Sequence, residues 1–497
     1  STGDTEFSNV ANIVDAEMAS GTADFTLVYT AAASTGSNTQ NLAVKNQTAG
    51  TATIANVETV NVSSTLAANT LADLVIANAT ALNVTGDKNL TITADVDFAD
   101  ATSATAIDGT VNASAFTGNL NFTANTGDVV SVTGGTGDDT INFTTGMATT
   151  DSVDGGAGVD TVTMTGAANS STTTLSTFGF SNVEKYSVAG VDEASITVAA
   201  ASVSDLTHVV LVENADGGDN DGDTYAVTGL ASGATVVLEN SVNARDMNAV
   251  TLTLADASGS SDALTVELNG TSAHAAADNT VNDLSVLDVE TLNLVSGQSG
   301  TTALTATDDN TLDDLSTDTT LTTLNISGSA ESNISIGTEA TKLATINASG
   351  MTAASSLTVA ATADQTITGG SAVDTITMAA TLNNSDTIDG GAGTDTLTAT
   401  STSLTATTGA LNISNVETIN LTNGGTSVIN KLFQDSDSRW KIVRGQQGGS
   451  LTVDRFIYGF IDKRTDKELG RDRTESSGLA EMGGSISVYN YSYYLHF

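Results

Sequence analysis

The chain lacks cysteine and proline altogether and has few aromatic residues. Its 497 residues include no Cys, no Pro, one Trp and three His. Without cysteine, neither disulfides nor thiolate metal sites can form, so packing, hydrogen bonds or bound ions must hold the fold together. The absence of proline suits a β-ladder that uses every backbone N–H. No apolar run approaches the ~18 residues of a membrane helix, so we expect no membrane span.

The amino-terminal residues carry no recognisable targeting sequence. Residues 1–7 lack the basic and apolar regions of a secretory signal peptide. A chain that starts at Ser rather than Met is expected to be either processed or a fragment.

Basic residues are scarce over most of the chain. Residues 1–430 contain five Lys and Arg against 49 Asp and Glu, a net charge of −44, whereas residues 431–497 contain ten basic and nine acidic residues. An acidic body repels nucleic acid and anionic lipid and attracts divalent cations. We therefore expect no nucleic-acid partner, and we expect counter-ions in the native state. The alternative is that the acidity only keeps an abundant extracellular protein soluble.

Four copies of a glycine-rich nonapeptide, G-G-x-G-x-D-x-U-x with U a large apolar residue, organise the sequence. They begin at Gly134, Gly155, Gly369 and Gly390, and the third has Ala372 where the others have their last glycine. The glycines permit a tight turn, the aspartate supplies a hard charged oxygen, and the last three residues begin a strand. Turns of this kind stack coil upon coil and hold Ca²⁺ between them.

The spacing of the nonapeptides indicates a regular coil. The two blocks are residues 134–163 and 369–398, and in each the second copy begins 21 residues after the first. A further aspartate lies nine residues before the aspartate of the second copy. Half-turns of nine and twelve residues would add up to this interval and make one coil. Each block therefore predicts a ladder of three aspartates, namely Asp139, Asp151 and Asp160 in the first and Asp374, Asp386 and Asp395 in the second.

A second recurring phrase shows that the chain is duplicated. An N-V-E-T-V-N motif containing Glu58 returns, with small changes, around Glu184, Glu290 and Glu417. Equivalent positions of the two nonapeptide blocks are always 235 residues apart. The expected divisions are an N-terminal polar segment (1–54), a first β-repeat (55–190), a connecting region (191–287), a second β-repeat (288–424) and a basic, aromatic tail (425–497).

Period-two alternation of apolar residues with Thr, Asn and Ser predicts short β-strands, including one at Phe25–Tyr29. Hairpin sandwiches would fit this periodicity equally well. The nonapeptide ladders favour an all-β fold, a right-handed parallel β-solenoid or β-roll. Residues 308–314, which are rich in aspartate, suggest an exposed loop or a helix cap.

Two segments leave alternatives open. In the connecting region, Asp219, Asp221 and Asp223 alternate as in a Ca²⁺ loop, but a solvated acidic turn fits equally well. The tail contains Trp440 and five of the eight Tyr. It is an export signal, an anchor, an assembly contact, or a segment foreign to the repeats.

The nonapeptides resemble those of RTX proteins exported by type I secretion. Together with the N-V-E phrases and the acidic, Thr-, Ala- and Asn-rich body, they make the chain resemble bacterial RTX-type surface-layer proteins. The motif resemblance covers residues 134–163 and 369–398, and the compositional one covers about 50–430. It implies an extracellular protein at the cell surface whose coils order with Ca²⁺ and which assembles with copies of itself into a lattice.

The resemblance also implies a set of Ca²⁺ ligands. The carboxylates would be those of Asp139, Asp160, Asp374 and Asp395, with Asp151 and Asp386 from the opposite turns. The carbonyls would be those of Gly135, Gly137, Gly156, Gly158, Gly370, Gly391 and Gly393.

These features favour a structural role over an enzymatic one. The sequence contains neither an H-E-x-x-H nor a G-x-S-x-G motif, and His208 lies in an apolar stretch typical of a strand. We expect a secreted structural protein that self-assembles with Ca²⁺, with a cell-surface polysaccharide as a candidate partner. The alternative is an RTX-type adhesin or biofilm-matrix protein that binds a surface ligand.

Overall fold

The computed structural model describes most of the chain up to residue 429 and four short segments after it. The described residues are 3–31, 33, 35–99, 107–125, 127–143, 147, 149–165, 171–174, 178–189, 195–201, 203, 205–213, 224–240, 246–271, 279–299, 309–317, 319–378, 380–400, 411–422, 427–429, 441–444, 450–453, 484–487 and 493–494. The chain divides into two compact units, Ser1–Val237 and Leu238–Phe497. The division falls inside the region expected to connect the two repeats.

The first unit is built from short strands joined by turns. In chain order they are β1 (Thr5–Val10), β2 (Ala16–Gly21), β3 (Phe25–Tyr29), β4 (Thr39–Gln47), β5 (Thr51–Ala55), β6 (Thr59–Thr65), β7 (Asn69–Leu71), β8 (Asp73–Val75), β9 (Ala81–Gly86), β10 (Leu90–Val96), β11 (Gly109–Phe116), β12 (Leu120–Ala124), β13 (Val130–Thr133), β14 (Thr140–Phe143), β15 (Ser152–Asp154), β16 (Thr161–Thr165), β17 (Ser171–Thr174), β18 (Gly179–Ser181), β19 (Lys185–Ala189), β20 (Ser195–Ala199), β21 (His208–Glu213) and β22 (Thr224–Leu230). The next strand, β23 (Thr235–Asn240), contains the division between the units.

The second unit repeats this construction. Its strands are β24 (Asp246–Leu254), β25 (Ala263–Thr271), β26 (Asn279–Leu287), β27 (Thr291–Ser299), β28 (Asp309–Thr317), β29 (Thr323–Gly328), β30 (Glu331–Ile336), β31 (Thr345–Met351), β32 (Ser355–Val359), β33 (Thr366–Thr368), β34 (Asp374–Met378), β35 (Thr387–Asp389), β36 (Thr396–Thr400), β37 (Asn412–Ser414), β38 (Thr418–Thr422), β39 (Ser427–Ile429), β40 (Lys441–Arg444), β41 (Ser450–Val453), β42 (Gly484–Ser487) and β43 (Tyr493–Tyr494).

Strand pairing within each unit follows a coil. In the first unit one sheet runs β2-β4-β6-β9-β11-β13-β15-β18 and another runs β7-β10-β12-β14-β16-β19-β21. In the second unit the orders are β25-β27-β29-β31-β33-β35-β37 and β24-β26-β28-β30-β32-β34-β36-β38. In these four runs of strands, chain neighbours lie in different sheets and each strand pairs in parallel with the next coil. Among the described tail strands, β40 with β43 and β41 with β42 pair antiparallel. Parallel pairing confirms the β-solenoid and rules out the hairpin sandwich, whose neighbouring strands would be antiparallel.

The register confirms the coil length expected from the nonapeptides. In the first unit Ile141 pairs with Val162, and in the second Ile376 pairs with Leu397, so each residue meets the equivalent residue of the next nonapeptide. The opposite strands keep the same step, since Val132 pairs with Val153. The two blocks are therefore regular coils of the predicted length.

Alternate side chains of each strand fill the interior of its unit. In β6 the residues alternate between half-buried and buried, and in β29 Leu324 and Ile326 are at most 1% exposed. The outward positions carry Thr, Asn and Ser. Asn83 donates to Asn61 and Asn61 donates to Asn41, each at 2.8 Å, which forms a side-chain ladder along the sheet. Burial of the aliphatic column supplies the main stabilising term.

Two further expectations can be compared with the strands. The strand predicted at Phe25–Tyr29 is β3, with the same bounds. The prediction of an exposed loop or helix cap at residues 308–314 was wrong, because β28 begins at Asp309 and buries Leu312 and Leu315. Two buried leucines in a parallel strand outweighed the local preference of aspartate for turns. None of the described residues forms a helix long and apolar enough to cross a membrane.

Truncation of a core leucine tests this packing. Leu324 is fully buried between Leu292 and Ile346 on the neighbouring coils, so Leu324→Ala should lower the free energy of unfolding by about 2–5 kcal/mol. The outward neighbour Thr323→Ala should change it by less than about 0.5 kcal/mol. Urea unfolding followed by circular dichroism, at one fixed Ca²⁺ concentration, measures both. Equal effects of the two variants would contradict the assigned inside and outside faces.

Candidate metal centres

The six aspartates predicted as ladder members are all buried. Their exposed fractions do not exceed 2%, although Asp374 is the first residue of β34 and the other five lie outside the strands. The members are Asp139, Asp151, Asp160, Asp374, Asp386 and Asp395. A buried carboxylate requires hydrogen-bond donors or a cation, so the contacts of each oxygen decide what these turns can do.

In the first block, Asp139 and Asp160 stack on successive coils. Oδ1 of Asp139 accepts the backbone N–H of Leu120 at 2.7 Å, and Oδ1 of Asp160 accepts the N–H of Asp139 at 2.7 Å. Each aspartate thus caps the strand entrance of the coil before it. Because Asp139 and Asp160 are one coil apart and in direct contact, the prediction that they form a ladder is confirmed.

The second block has the same ladder. Oδ1 of Asp374 accepts the N–H of Ser355 at 2.9 Å, and Oδ1 of Asp395 accepts the N–H of Asp374 at 2.7 Å. The Ser355 hydroxyl adds a bond of 2.8 Å to the same oxygen of Asp374. Equivalent contacts in both units show that the ladder follows from the nonapeptide.

Asp151 and Asp386 lie on the opposite turns, as predicted. Oδ1 of Asp151 accepts the N–H of Val130 at 2.8 Å, and Oδ1 of Asp386 accepts the N–H of Gln365 at 2.7 Å. The two residues come just before β15 and β35, whereas the nonapeptide aspartates lead into β14, β16, β34 and β36. In each block two aspartates therefore stack on one edge, and the third lies on the opposite edge.

The glutamate of the N-V-E phrase continues the nonapeptide ladder, and the sequence interpretation missed this role. Oε2 of Glu184 accepts the N–H of Asp160 at 2.8 Å, and Oε2 of Glu417 accepts the N–H of Asp395 at 2.7 Å. Outside the blocks, Glu58 accepts the N–H of Asn38 and Glu290 accepts that of Asp262. The recurrence of the phrase one coil after each block was the signal that could have identified it.

The first residue of the phrase is Asn or Asp because the backbone turns left-handed there. Asn56, Asn182, Asp288 and Asn415 have φ between 50° and 62°. Asn and Asp tolerate this conformation better than other residues with a side chain. The following residue, such as Val183, is buried. The first residue of the phrase therefore forms the turn, the second packs in the core, and the third places its carboxylate next to the N–H of the preceding coil.

The corner glycines allow successive coils to approach closely. A Cβ added to Gly156 would lie 2.3 Å from the Gly135 carbonyl oxygen, and one added to Gly158 would lie 2.4 Å from that of Gly137. In the second block the corresponding distances are 2.2 Å from Gly391 to the Gly370 oxygen and 2.1 Å from Gly393 to the Ala372 oxygen. Only glycine permits this stacking of carbonyls against the next coil.

The last aspartate of each nonapeptide ladder keeps one oxygen without a donor. Oδ2 of Asp160 and Oδ2 of Asp395 are buried and accept no hydrogen bond. Burial, with smaller contributions from Asp139 and Glu184, raises the pKa of Asp160 to about 7. Burial, with smaller contributions from Asp374 and Glu417, raises the pKa of Asp395 to about 6. A divalent cation would satisfy such an oxygen and offset the surrounding negative charge.

These turns fit Ca²⁺ if backbone carbonyls supply most of the ligands. Within the described ranges, no three His, Asp or Glu side chains come together closely enough to hold a metal ion. Ca²⁺ binds carboxylate and backbone carbonyl oxygens alike, and the corners offer both. The predicted ligands Asp219, Asp221 and Asp223 lie outside the described residues.

The fold and these corners define the class of the chain. It is a parallel β-solenoid in which buried carboxylates cap backbone N–H groups from coil to coil. No protein-family model matches the chain, and no curated protein sequence is significantly similar to it.

Removal of a phrase glutamate tests its capping role away from the nonapeptides. Glu290→Ala leaves the N–H of Asp262 without an acceptor and should lower the free energy of unfolding of the second unit by about 1–3 kcal/mol. Glu290→Gln retains an acceptor oxygen and should lower the free energy of unfolding by less than Glu290→Ala does. Urea unfolding of the three proteins measures the difference, and equal losses for Ala and Gln would argue against the cap.

The stability of the Ca²⁺-free protein should depend on pH through Asp160 and Asp395. Their pKa values are raised in the folded state, so protonation stabilises the fold, and the free energy of unfolding should fall as pH rises from about 4 to about 7. The double variant Asp160→Asn, Asp395→Asn should show a weaker dependence. Circular dichroism in a chelator across this pH range measures the folded fraction, which should decrease toward pH 7. An unchanged pH dependence in the variant would contradict the assignment.

Proposed function

We propose that the chain is a secreted structural protein that folds with Ca²⁺ and assembles with copies of itself into a layer at the cell surface. The observation that carries this proposal is the pair of buried, unpartnered carboxylate oxygens at Asp160 and Asp395, each the aspartate of the second nonapeptide in its block. Buried polar atoms in folded proteins nearly always have a partner, so an unpartnered oxygen at the equivalent position of both blocks favours a bound ligand.

The negative charge of the chain links Ca²⁺ binding to the compartment in which the chain folds. Residues 1–430 carry a net charge of −44, and self-repulsion of this size opposes a compact state. When bound, Ca²⁺ supplies positive charge and oxygen coordination at the corners, and its binding free energy becomes folding free energy. The chain would stay poorly folded in a cytoplasm low in Ca²⁺ and would order where Ca²⁺ is millimolar. This favours export before folding, as in type I secretion.

The sheet faces support a structural role. Outward positions in the described strands are mostly Thr, Asn and Ser, while most acidic side chains lie at the turns. In the second unit a two-column array of small polar residues, Ser356, Thr358, Thr375, Thr377, Thr396, Thr398, Thr418 and Asn420, lies on paired strands. Uncharged faces can pack against copies of themselves without charge repulsion once cations neutralise the edges.

An adhesin or biofilm-matrix protein remains the second candidate, since the same scaffold could present a ligand-binding face. The chain contains no catalytic motif that favours an enzyme, and we propose no enzymatic activity. A surface polysaccharide is a proposed partner of the layer, while nucleic acid is disfavoured by the net charge.

Folding and assembly can be measured together. Circular dichroism and light scattering of the purified chain, with a chelator and with millimolar Ca²⁺, should show a gain of β-structure followed by large particles. Asp160→Ala and Asp395→Ala should each raise the Ca²⁺ concentration at the midpoint of both transitions. Folding without particles would favour the adhesin, and a fold independent of Ca²⁺ would overturn the proposal.

A further inference from the structure

The two nonapeptides in each block differ in the orientation of one peptide group. In the first copy, the N–H of the second glycine points at the aspartate of its own turn: Gly135 donates to Oδ2 of Asp139 at 2.8 Å. In the second copy, Gly156 has φ +95° and donates instead to Oδ1 of Asp154 at 3.3 Å. The backbone rotation removes the donor that would otherwise reach Oδ2 of Asp160.

The second block shows the same difference at equivalent positions. Gly370 donates to Oδ2 of Asp374 at 2.6 Å, whereas Gly391, with φ +90°, donates to Oδ1 of Asp389 at 3.1 Å. Asp395 is thereby left with Oδ2 unpartnered. The two blocks, far apart in sequence, thus share one pattern, a closed first corner and an open second corner.

The residues that follow the open corner keep it in this state. Asn182 donates its side-chain N–H to Oδ1 of Asp154 at 2.7 Å, and Asn415 does the same to Asp389 at 2.7 Å. These asparagines begin the N-V-E phrase of the next coil, so the phrase replaces a third nonapeptide below each open corner. The phrase therefore fixes the aspartate that receives the rotated glycine N–H.

We infer that one aspartate in each block, Asp160 in the first and Asp395 in the second, is the side-chain ligand for Ca²⁺. Both side chains are at most 2% exposed, and both present a buried oxygen without a donor. This inference rests on the proposed function and narrows it, because the resemblance assigned every ladder aspartate to Ca²⁺.

The other nonapeptide aspartates close their corners by hydrogen bonding. Both oxygens of Asp139 accept backbone N–H groups, from Leu120 and Gly135, and both oxygens of Asp374 do so from Ser355 and Gly370. On the opposite edge, both oxygens of Asp386 also accept backbone N–H groups, from Gln365 and Asn383. A cation at any of these three would have to displace a short bond from a backbone donor.

Counting bound ions in matched variants tests the inference. The full chain and its variants are folded in Ca²⁺, freed of unbound ion by gel filtration, and analysed for Ca²⁺ per chain by elemental analysis. Asp160→Asn and Asp395→Asn keep the acceptor for the N–H on the preceding coil and should each lose one ion relative to the parent. The matched controls Asp139→Asn and Asp374→Asn should lose none.

Anomalous diffraction from crystals of the unaltered chain grown with Sr²⁺ gives an independent readout if a variant fails to fold. Anomalous peaks should lie within coordination distance of Oδ2 of Asp160 and of Asp395, and no peak should lie within that distance of the Asp139 or Asp374 carboxylate. Ions at all four aspartates would overturn the inference and leave the proposed function standing. A folded chain that binds no ion at all would overturn both.

Discussion

The structure depends on one interaction, the hydrogen bond from a backbone N–H at a strand entrance to a carboxylate on the following coil. A parallel sheet pairs the backbone along the strands but leaves the turns without a regular partner. In both units an aspartate or glutamate fills this gap, with donor–acceptor distances of 2.6–2.9 Å. Because buried N–H groups must be satisfied, this side chain determines where a turn can stack.

This requirement places negative charge in the interior of the turns. Each carboxylate that caps a backbone N–H gives up hydration, and a stack of them accumulates repulsion in a region of low dielectric. The chain meets this cost in two ways. At Asp139 and Asp374 backbone donors surround the charge, while at Asp160 and Asp395 one oxygen keeps no donor. Burial raises the pKa of Asp139 as well, and it raises the pKa of Asp160 to about 7 and that of Asp395 to about 6.

Much of this architecture could be predicted from the sequence because it depends on spacing. The coil length within the two nonapeptide blocks, the strand Phe25–Tyr29 and the opposite positions of Asp139 and Asp151 follow from the period of the pattern alone. The difference between Gly135 and Gly156 could not be predicted, since both are second glycines of a full nonapeptide match. Their conformations are set by what lies one coil further on, which is a long-range contact.

The glutamates of the N-V-E phrase illustrate another limit. The phrase was visible as a repeat, but Glu184 is 24 residues after Asp160 and Glu417 is 22 after Asp395. These unequal steps depart from the constant interval that identified the aspartates. A glutamate side chain is one methylene longer than aspartate and still reaches the N–H across the irregular turn. Composition alone would assign such residues to solvent.

The ladder also has a direction. Along it, each N–H belongs to the earlier coil and each acceptor to the later one, from Leu120 to Asp139, to Asp160 and finally to Glu184. A chain that emerges amino terminus first from a ribosome therefore presents donors before their acceptors have appeared. No corner can be completed until the following coil has been synthesised, so each corner closes later than the strand that it caps.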